Sequence, residues 1–425
     1  MPSKFSNGWN LHKRLLNLGE KVLPLSGLLI IVRSLIMNEC FLRVCPIWKV
    51  FPMSRLRFGE GMSLAKFPTF LLLFLMQTSA HAASFQFLGW RSLQPHVTEG
   101  SFQERSWEIS IPGDWQEGTQ WIPSWNVKGI GEHDLSIDVE LVFEDGHQSS
   151  YSFGHWNRQA QKRGEQGSRT SVNGQNDAYG VVYTDTLILK KTAHVARWTL
   201  GSAVQSLSEP QLKLFGVCVG RPGSEPSPSP LLPSDDGWSV EVPPLCQFDY
   251  LGGKVWCSPT SVTMIMQYWS KMKGMDSWHY AVPETSAKVF DPGWPGTGNW
   301  SFNVAHAGGH DGLRSWVCRL ASLDSLIHLL RLGVPVAASV SYDLLKGKAT
   351  KGDNDGHLVV VSGWDQSQHV IVNDPAKCPM VRTKYPVNAF MRGWNASHRT
   401  VYIILPNGLN MPEELTEIQW MDSAS

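Results

Sequence analysis

Cys257 stands in "GGKVWCSPTSVTMIMQYW", between a tryptophan and a Ser-Pro pair, and an apolar helical pattern follows at once. Val262, Ile265, Met266 and Trp269 fall on one face of a helix predicted from Ser258 to about Met272. Ser258 can cap that helix and Pro259 fits its first turn, so the thiol sits at the positive end. A helix N-terminus stabilises a thiolate and lowers the cysteine pKa, which a nucleophile needs and a packing residue does not. A thiolate nucleophile also requires a general base, a group that orients the base, and an oxyanion donor.

His357 is the candidate base. "DGHLVVVSGW" puts it at the mouth of an apolar strand, and the next strand, "HVIVNDPA", ends in Asp374. Two antiparallel strands joined at Trp364 to Gln368 bring the start of one beside the end of the other, so Asp374 becomes the orienter. His369 competes as base but lies at the turn end of the same hairpin. Asn373 competes as orienter, yet neighbouring strand residues face opposite ways, so only one of the two can meet His357. Gln247, ten residues before the thiol, is the candidate oxyanion donor beside the Cys257 backbone N–H.

The elements around these residues change character along the chain. Residues 84–219 read as all-β. Leu135, Ile137, Val139, Leu141 and Phe143 alternate with polar residues, and Asp145-Gly146 supplies a hairpin turn before "YSF". "SWEISIP", "VVYTDTLILKK", "HVARWTL" and "LKLFGVCVG" are further strands, and the pattern predicts a β-sandwich. Residues 220–237 are a Pro/Ser-rich linker. From 238 to 408 helices come first: the Cys257 helix and "SLDSLIHLLRLG", capped at Ser322 and stopped at Gly333. "VPVAASVSY", "HLVVVSGWD", "QHVIVNDPA" and "RTVYIILP" are strands, with "VNAFMRGW" a short helix between the last two. Helices followed by a largely antiparallel sheet make this part α+β. Residues 409–425 form a tail.

Gln247, Cys257, His357 and Asp374, in that order, resemble the papain-like cysteine peptidases, with Cys opening a helix and His opening a strand. Within them the chain is similar to the family-thirty-nine-like (bacteriocin-processing-peptidase-like) domains of secreted bacterial proteins. "VPPLCQ", "VWCSPTS", "DPGWPGTGNWSFNVAHA", "GHLVVVSGWD", "VIVNDPA" and "VYIIL" carry the likeness over about Val242 to Leu405. The resemblance implies a papain-like fold and thiol-dependent cleavage of a peptide or isopeptide bond, with no cofactor. It does not extend to the sandwich. The transporter-linked members' ATP-binding cassette is missing, so their double-glycine specificity does not carry over. "GTGNWSFNVAHAG" reads either as a packed loop or as a wall of the substrate cleft, with Asn299 and Trp300 lining it together with Trp256.

The N-terminal region carries an export pattern in an internal position. Residues 62–82 run from one Lys through Phe70–Met76 to Ala80-His81-Ala82, the order of a secretory signal peptide. Translation is therefore expected to start at Met62, with 1–61 a misassigned or disordered extension and the mature protein secreted, periplasmic or at the cell surface. The alternative is a membrane anchor over Leu23–Met37, which Arg33 interrupts. Beyond the signal, Cys218, Cys246, Cys257, Cys318 and Cys378 remain, an odd number in an oxidising compartment. An oxidised Cys246–Cys378 pair would join the two arms of the motif. The alternatives are two unpaired thiols or a Cys246–Cys318 pair. No CxxC occurs, and "GDNDGH" lacks the distal glutamate of a calcium loop, so no metal is expected.

Lys plus Arg and Asp plus Glu both number 37, which removes a global electrostatic reason to expect nucleic acid as partner. Two functions compete. One is an exported thiol hydrolase acting on a peptide or protein, with cell-wall peptides or amides as rival substrates and no membrane span in the mature chain. The other is a catalytically silent papain-like scaffold in a cell-surface or carbohydrate-binding protein.

Overall fold

The computed structural model describes residues 85–421, apart from 92, 99–102, 129–133, 158–168, 205–210, 224–230, 235 and 349–355. The expected extension, the export segment, the alternative anchor with Cys40, Cys45 and Arg33, and most of the "GDNDGH" stretch lie outside the described residues.

The first half holds β1 (Phe85–Trp90), β2 (His96–Thr98), β3 (Gln103–Trp115), β4 (Gln120–Lys128), β5 (Leu135–Phe143), β6 (Gln148–Trp156), β7 (Arg169–Thr170), β8 (Gly180–Tyr183), β9 (Thr186–Leu189), β10 (Ala193–Val204) and β11 (Gln211–Gly220). They form two sheets, β2-β3-β10-β5-β6-β7 and β1-β11-β4-β9-β8. In β5 buried and half-buried residues alternate from Leu135 to Phe143, as its sequence pattern requires. Trp121, Trp125, Phe153, Trp198 and Phe215 fill the core between the sheets. "VVYTDTLILKK" is a tight hairpin and not one strand: Tyr183 pairs with Thr186, and Thr184 takes φ 57° in the turn. Its aspartate supplied the turn signal that the run of apolar residues masked.

The second half holds β12 (Trp238–Ser239), α1 (Cys257–Lys273), α2 (Val282–Val289), α3 (Trp300–Gly309), β13 (Leu313–Arg319), α4 (Leu323–Arg331), β14 (Val336–Ser341), α5 (Tyr342–Leu345), β15 (Gly356–Trp364), β16 (His369–Asn373), β17 (Arg382–Pro386), α6 (Val387–Asn395), β18 (Thr400–Pro406) and β19 (Ile418–Trp420). One antiparallel sheet runs β13-β18-β14-β15-β16-β17, with β12 also on β15. The α+β character of this half holds. β13 and β17 lie outside the expected strands, because arginine and lysine interrupt their apolar pattern.

"NWSFNVAHAG" is a helix, not a loop. The Asn299 side chain accepts the Phe302 N–H at 3.1 Å and caps α3. Gly308 lets the helix approach the first half, since a Cβ there would stand 2.2 Å from Asn126 Cγ.

The two halves are one compact unit, Ala83–Ser425. Alternation in β4 explains the join. Trp121, Trp125 and Val127 face the core between the two sheets, whereas Ile122 packs into the core of the second half. Phe85, Phe87, Leu214 and Cys218 join that second core too. Asn126 bonds both the carbonyl (2.8 Å) and the N–H (2.9 Å) of Ser315, and Ser124 accepts the Val317 N–H at 2.9 Å. Polar side chains of the first half thus cover the edge of β13. The tail also returns: β19 pairs in parallel with β1.

Candidate active site

Cys257 is the first residue of α1 and is half-buried. The cap position is Trp256, with φ −100° and ψ 27°, and not Ser258. Ser258 lies inside the helix and its hydroxyl is bonded to the Tyr402 hydroxyl at 2.9 Å. No side chain caps this end, so first-turn N–H groups stay available to the sulfur. Burial pushes the Cys257 thiol up, but the hydrogen bond and charge interaction with His357 outweigh it, helped by the Leu358 and Ser258 N–H groups. The net shift is downward.

His357 is the second residue of β15 and is buried. Its Nε2 donates to Asp374 Oδ1 at 2.8 Å, which leaves Nδ1 as the ring nitrogen that can serve the Cys257 thiol. Burial lowers the imidazole, yet the bonds to Asp374 and Cys257 prevail and raise it to about 9. A lowered thiol beside a raised imidazole favours the thiolate–imidazolium pair over the neutral one.

The hairpin pairs Val360 with Asn373 and Val361 with Val372, with a bulge before Gly363. Asp374 follows β16 directly, and its carboxylate is wholly buried. Besides His357, Asp374 Oδ1 accepts the Ala376 N–H at 3.0 Å and Oδ2 accepts the Tyr385 hydroxyl at 2.7 Å. Burial raises this carboxyl, while the bond to His357 leads the interactions that hold it below its usual range. Asn373 faces the other way and donates to the carbonyls of Val242 and Pro243 at 2.9 and 3.2 Å. His369 stays at the turn, 3.4 Å from Asp365.

Gln247 is buried, but its amide nitrogen donates to the Gly253 and Lys254 carbonyls at 2.9 and 3.0 Å. Both N–H bonds are engaged, so the side chain is not a free oxyanion donor in this conformation. It closes the loop that leads into Trp256. Its own N–H reaches the Pro375 carbonyl at 3.0 Å, and beside it Cys246 is disulfide-bonded to Cys378, with Cα atoms 5.8 Å apart. The loop before the thiol is thus fastened to the loop after Asp374. Cys318 is unpaired, which removes the Cys246–Cys318 alternative.

Two expected cleft residues are engaged in other contacts. Asn299 is wholly buried, held by its cap and by a 2.9 Å bond to Asp291 Oδ2, so it offers no surface to a substrate. Trp300 packs against the second core, and its N–H bonds to Asp185 of the β8–β9 turn at 2.5 Å. Trp256 is half-buried and directly precedes the thiol-bearing residue.

Tyrosines missing from the sequence expectation complete the site. The Tyr342 ring lies 4.2 Å from the His357 ring, tilted by 37°. Tyr385 lies opposite Val370 on β17, facing the side that Asp374 continues, and Tyr402 on β18 holds Ser258. Period-two alternation in β17 could have found Tyr385 once that strand was recognised.

Among the described residues no group of His, Cys, Asp and Glu could hold a metal ion, and no helix is long and apolar enough to cross a membrane. Residues 239–402 match the model of the Peptidase_C39 like family, and residues 93–220 match that of the Peptidase C39 N-terminal domain. No curated protein matches the chain. The chain carries a C39-like peptidase domain, preceded by a region that matches the Peptidase C39 N-terminal domain.

Proposed function

We propose that the chain is an exported thiol-dependent hydrolase that cleaves a peptide or isopeptide bond through Cys257, His357 and Asp374 in a papain-like arrangement. The observation that carries this reading is the buried His357–Asp374 pair, Nε2 to Oδ1 at 2.8 Å, on the same imidazole that draws the Cys257 thiol below its usual range. The two-sheet module acts as a β-sandwich support for the peptidase domain.

The thiolate attacks the carbonyl carbon, the C–S bond forms and the carbonyl electron pair moves to oxygen. The Cys257 N–H at the open end of α1 is the backbone donor assigned to that oxyanion. As the C–N bond breaks, His357 Nδ1 gives its proton to the leaving amine. His357 then takes a proton from water, whose hydroxide oxygen attacks the thioester and frees the thiolate. Asp374 remains ionised and holds the ring.

An epoxysuccinyl or iodoacetamide probe tests the reading. Burial pushes Cys218 up to about 11 and Cys318 well above the usual thiol range, so neither competes as a thiolate. Labelling is expected at Cys257 alone and much slower in His357→Ala, with peptide hydrolysis lost in Cys257→Ala. Normal hydrolysis by Cys257→Ala rejects the reading. Sequencing the exported protein should give an N-terminus at or near Ala83, whereas one near Met1 rejects the export segment.

A further inference from the structure

A groove of about 500 Å³ opens beside the relay. Tyr342 and Tyr385 form its inner wall, the same rings that touch His357 and Asp374. Lys346, Lys348 and Lys377 line it, with no carboxylate among the described lining residues. The Lys346 ammonium stands 3.5 Å over the Tyr342 ring, so ammonium, phenol and imidazole make a three-layer stack. Asp343 approaches Lys346 at 3.5 Å and offsets part of one charge. Lys377 is bonded to the neutral Thr383 hydroxyl at 2.6 Å, and the Lys348 ammonium has no partner among the described residues. Asp374 lies behind the Tyr385 hydroxyl, already matched by His357. Among the described residues the groove therefore keeps an excess of positive charge.

The groove lies on the leaving-group side. The departing amine must reach His357 Nδ1, so the chain that follows the scissile bond passes the imidazole side of the thiol. Beyond the imidazole come Tyr342 and then Lys346. At about 3.3 Å per residue, an extended peptide covers that distance in roughly two or three residues.

We propose, resting on the hydrolase reading above, that this lysine-lined groove is a subsite for a carboxylate carried two or three residues after the scissile bond. The carboxylate comes either from an Asp or Glu side chain or from the α-carboxylate of a short substrate's chain end. The tyrosine walls hold the peptide by apolar contact, and the lysines select its charge.

The test is digestion of a mixture of random synthetic peptides, prepared with free and with amidated C-termini, and read by mass spectrometry. Expected is enrichment of Asp and Glu at the second or third position after the cut, or of free over amidated termini at that distance. The first outcome assigns the charge to a side chain and the second to a chain end. In Lys346→Gln/Lys348→Gln/Lys377→Gln, the ratio of kcat/KM for an acidic peptide to its neutral analogue should fall about tenfold, the combined effect of three partly exposed charges. The wild-type preference should weaken in high salt. If the triple variant melts early, Lys348→Gln alone, at an exposed position, should still lower the ratio about twofold to threefold. Cys257-dependent cleavage with no acidic preference overturns the subsite and leaves the hydrolase intact. Absence of any Cys257-dependent cleavage overturns the hydrolase reading, and the subsite with it.

Discussion

Replacing Asp374 by Asn keeps the shape of the relay and removes its charge. The wild-type imidazole is raised to about 9, against burial, by Asp374 and Cys257 together. A hydrogen bond to a charged group contributes about 1.5–3 kcal/mol. At about 1.36 kcal/mol per pKa unit, loss of the carboxylate's share lowers His357 by roughly one to two units. The alkaline limb of kcat/KM reports loss of the His357 proton, so it should move from near pH 9 toward neutrality. The acid limb reports the Cys257 thiol, which loses part of its imidazolium partner and should move up. The active pH range narrows from both sides. The rate of iodoacetamide alkylation against pH measures the same pair without turnover. Linkage gives an independent sign. His357 is raised in the fold, so its stabilisation is complete below its unfolded pKa of about 6.5 and lost as pH rises through about 9. Asp374→Asn should therefore cost more stability at pH 6 than at pH 10. An alkaline limb unmoved in Asp374→Asn, with the fold intact, would refute the assignment of His357 and Asp374 to one relay.

Mild reduction of Cys246–Cys378, or Cys246→Ser/Cys378→Ser, should lower kcat several-fold without changing the number of reactive thiols at Cys257, because the bridge fastens the loop before the nucleophile to the loop after Asp374. Unchanged kinetics would deny the bridge any functional part. Gln247→Ala leaves the Gly253 and Lys254 carbonyls without their donor and should destabilise the protein by about 1–3 kcal/mol in thermal or denaturant unfolding. A loss of kcat with unchanged stability would instead assign Gln247 to the oxyanion. Tyr385→Phe removes one donor from a buried carboxylate and should reduce stability by about 1.5–3 kcal/mol, most clearly above pH 5, where Asp374 is ionised in both folded and unfolded chains.

Much of this site follows from local rules. A cysteine before Ser-Pro and an apolar helical face must stand near a helix N-terminus, although Trp256 and not Ser258 proved to be the cap. A histidine opening one strand of a short hairpin must lie near the residue closing the other, and strand alternation separates Asp374 from Asn373. What escaped was set by distant partners. The engagement of Gln247 depends on how a loop of glycines folds over it, which no periodicity encodes. Asn299 and Trp300 looked like cleft residues because Asn, Gly and Trp together suggest a surface loop. Their hydrogen bonds run instead to Asp291 and Asp185, partners that lie 8 and 115 residues away in sequence.

Those two aspartates also explain why the linker does not divide the molecule into independent parts. Asp185, in the first half, accepts the N–H of Trp300 at the start of α3, where an anion is favoured by the helix dipole. Burial raises Asp185 to about 7, against the lowering effect of that bond, so the contact is weakened once the carboxyl is protonated. Asp291, in the second half, accepts the Ser171 N–H at 2.9 Å, so the exchange of hydrogen bonds runs in both directions. Helix α3 inserts Phe302 against Trp125 and Trp156 while Val304 and Ala307 pack into the other core. The same helix is thus part of both cores. Removing the first half would expose Phe302 and Ala305, take the Asp185 acceptor from the Trp300 N–H and open the edge of β13. The two-sheet module is therefore a structural component of the peptidase domain's core, and any ligand it binds would act on a sheet that directly supports the relay's own sheet through β13 and β18.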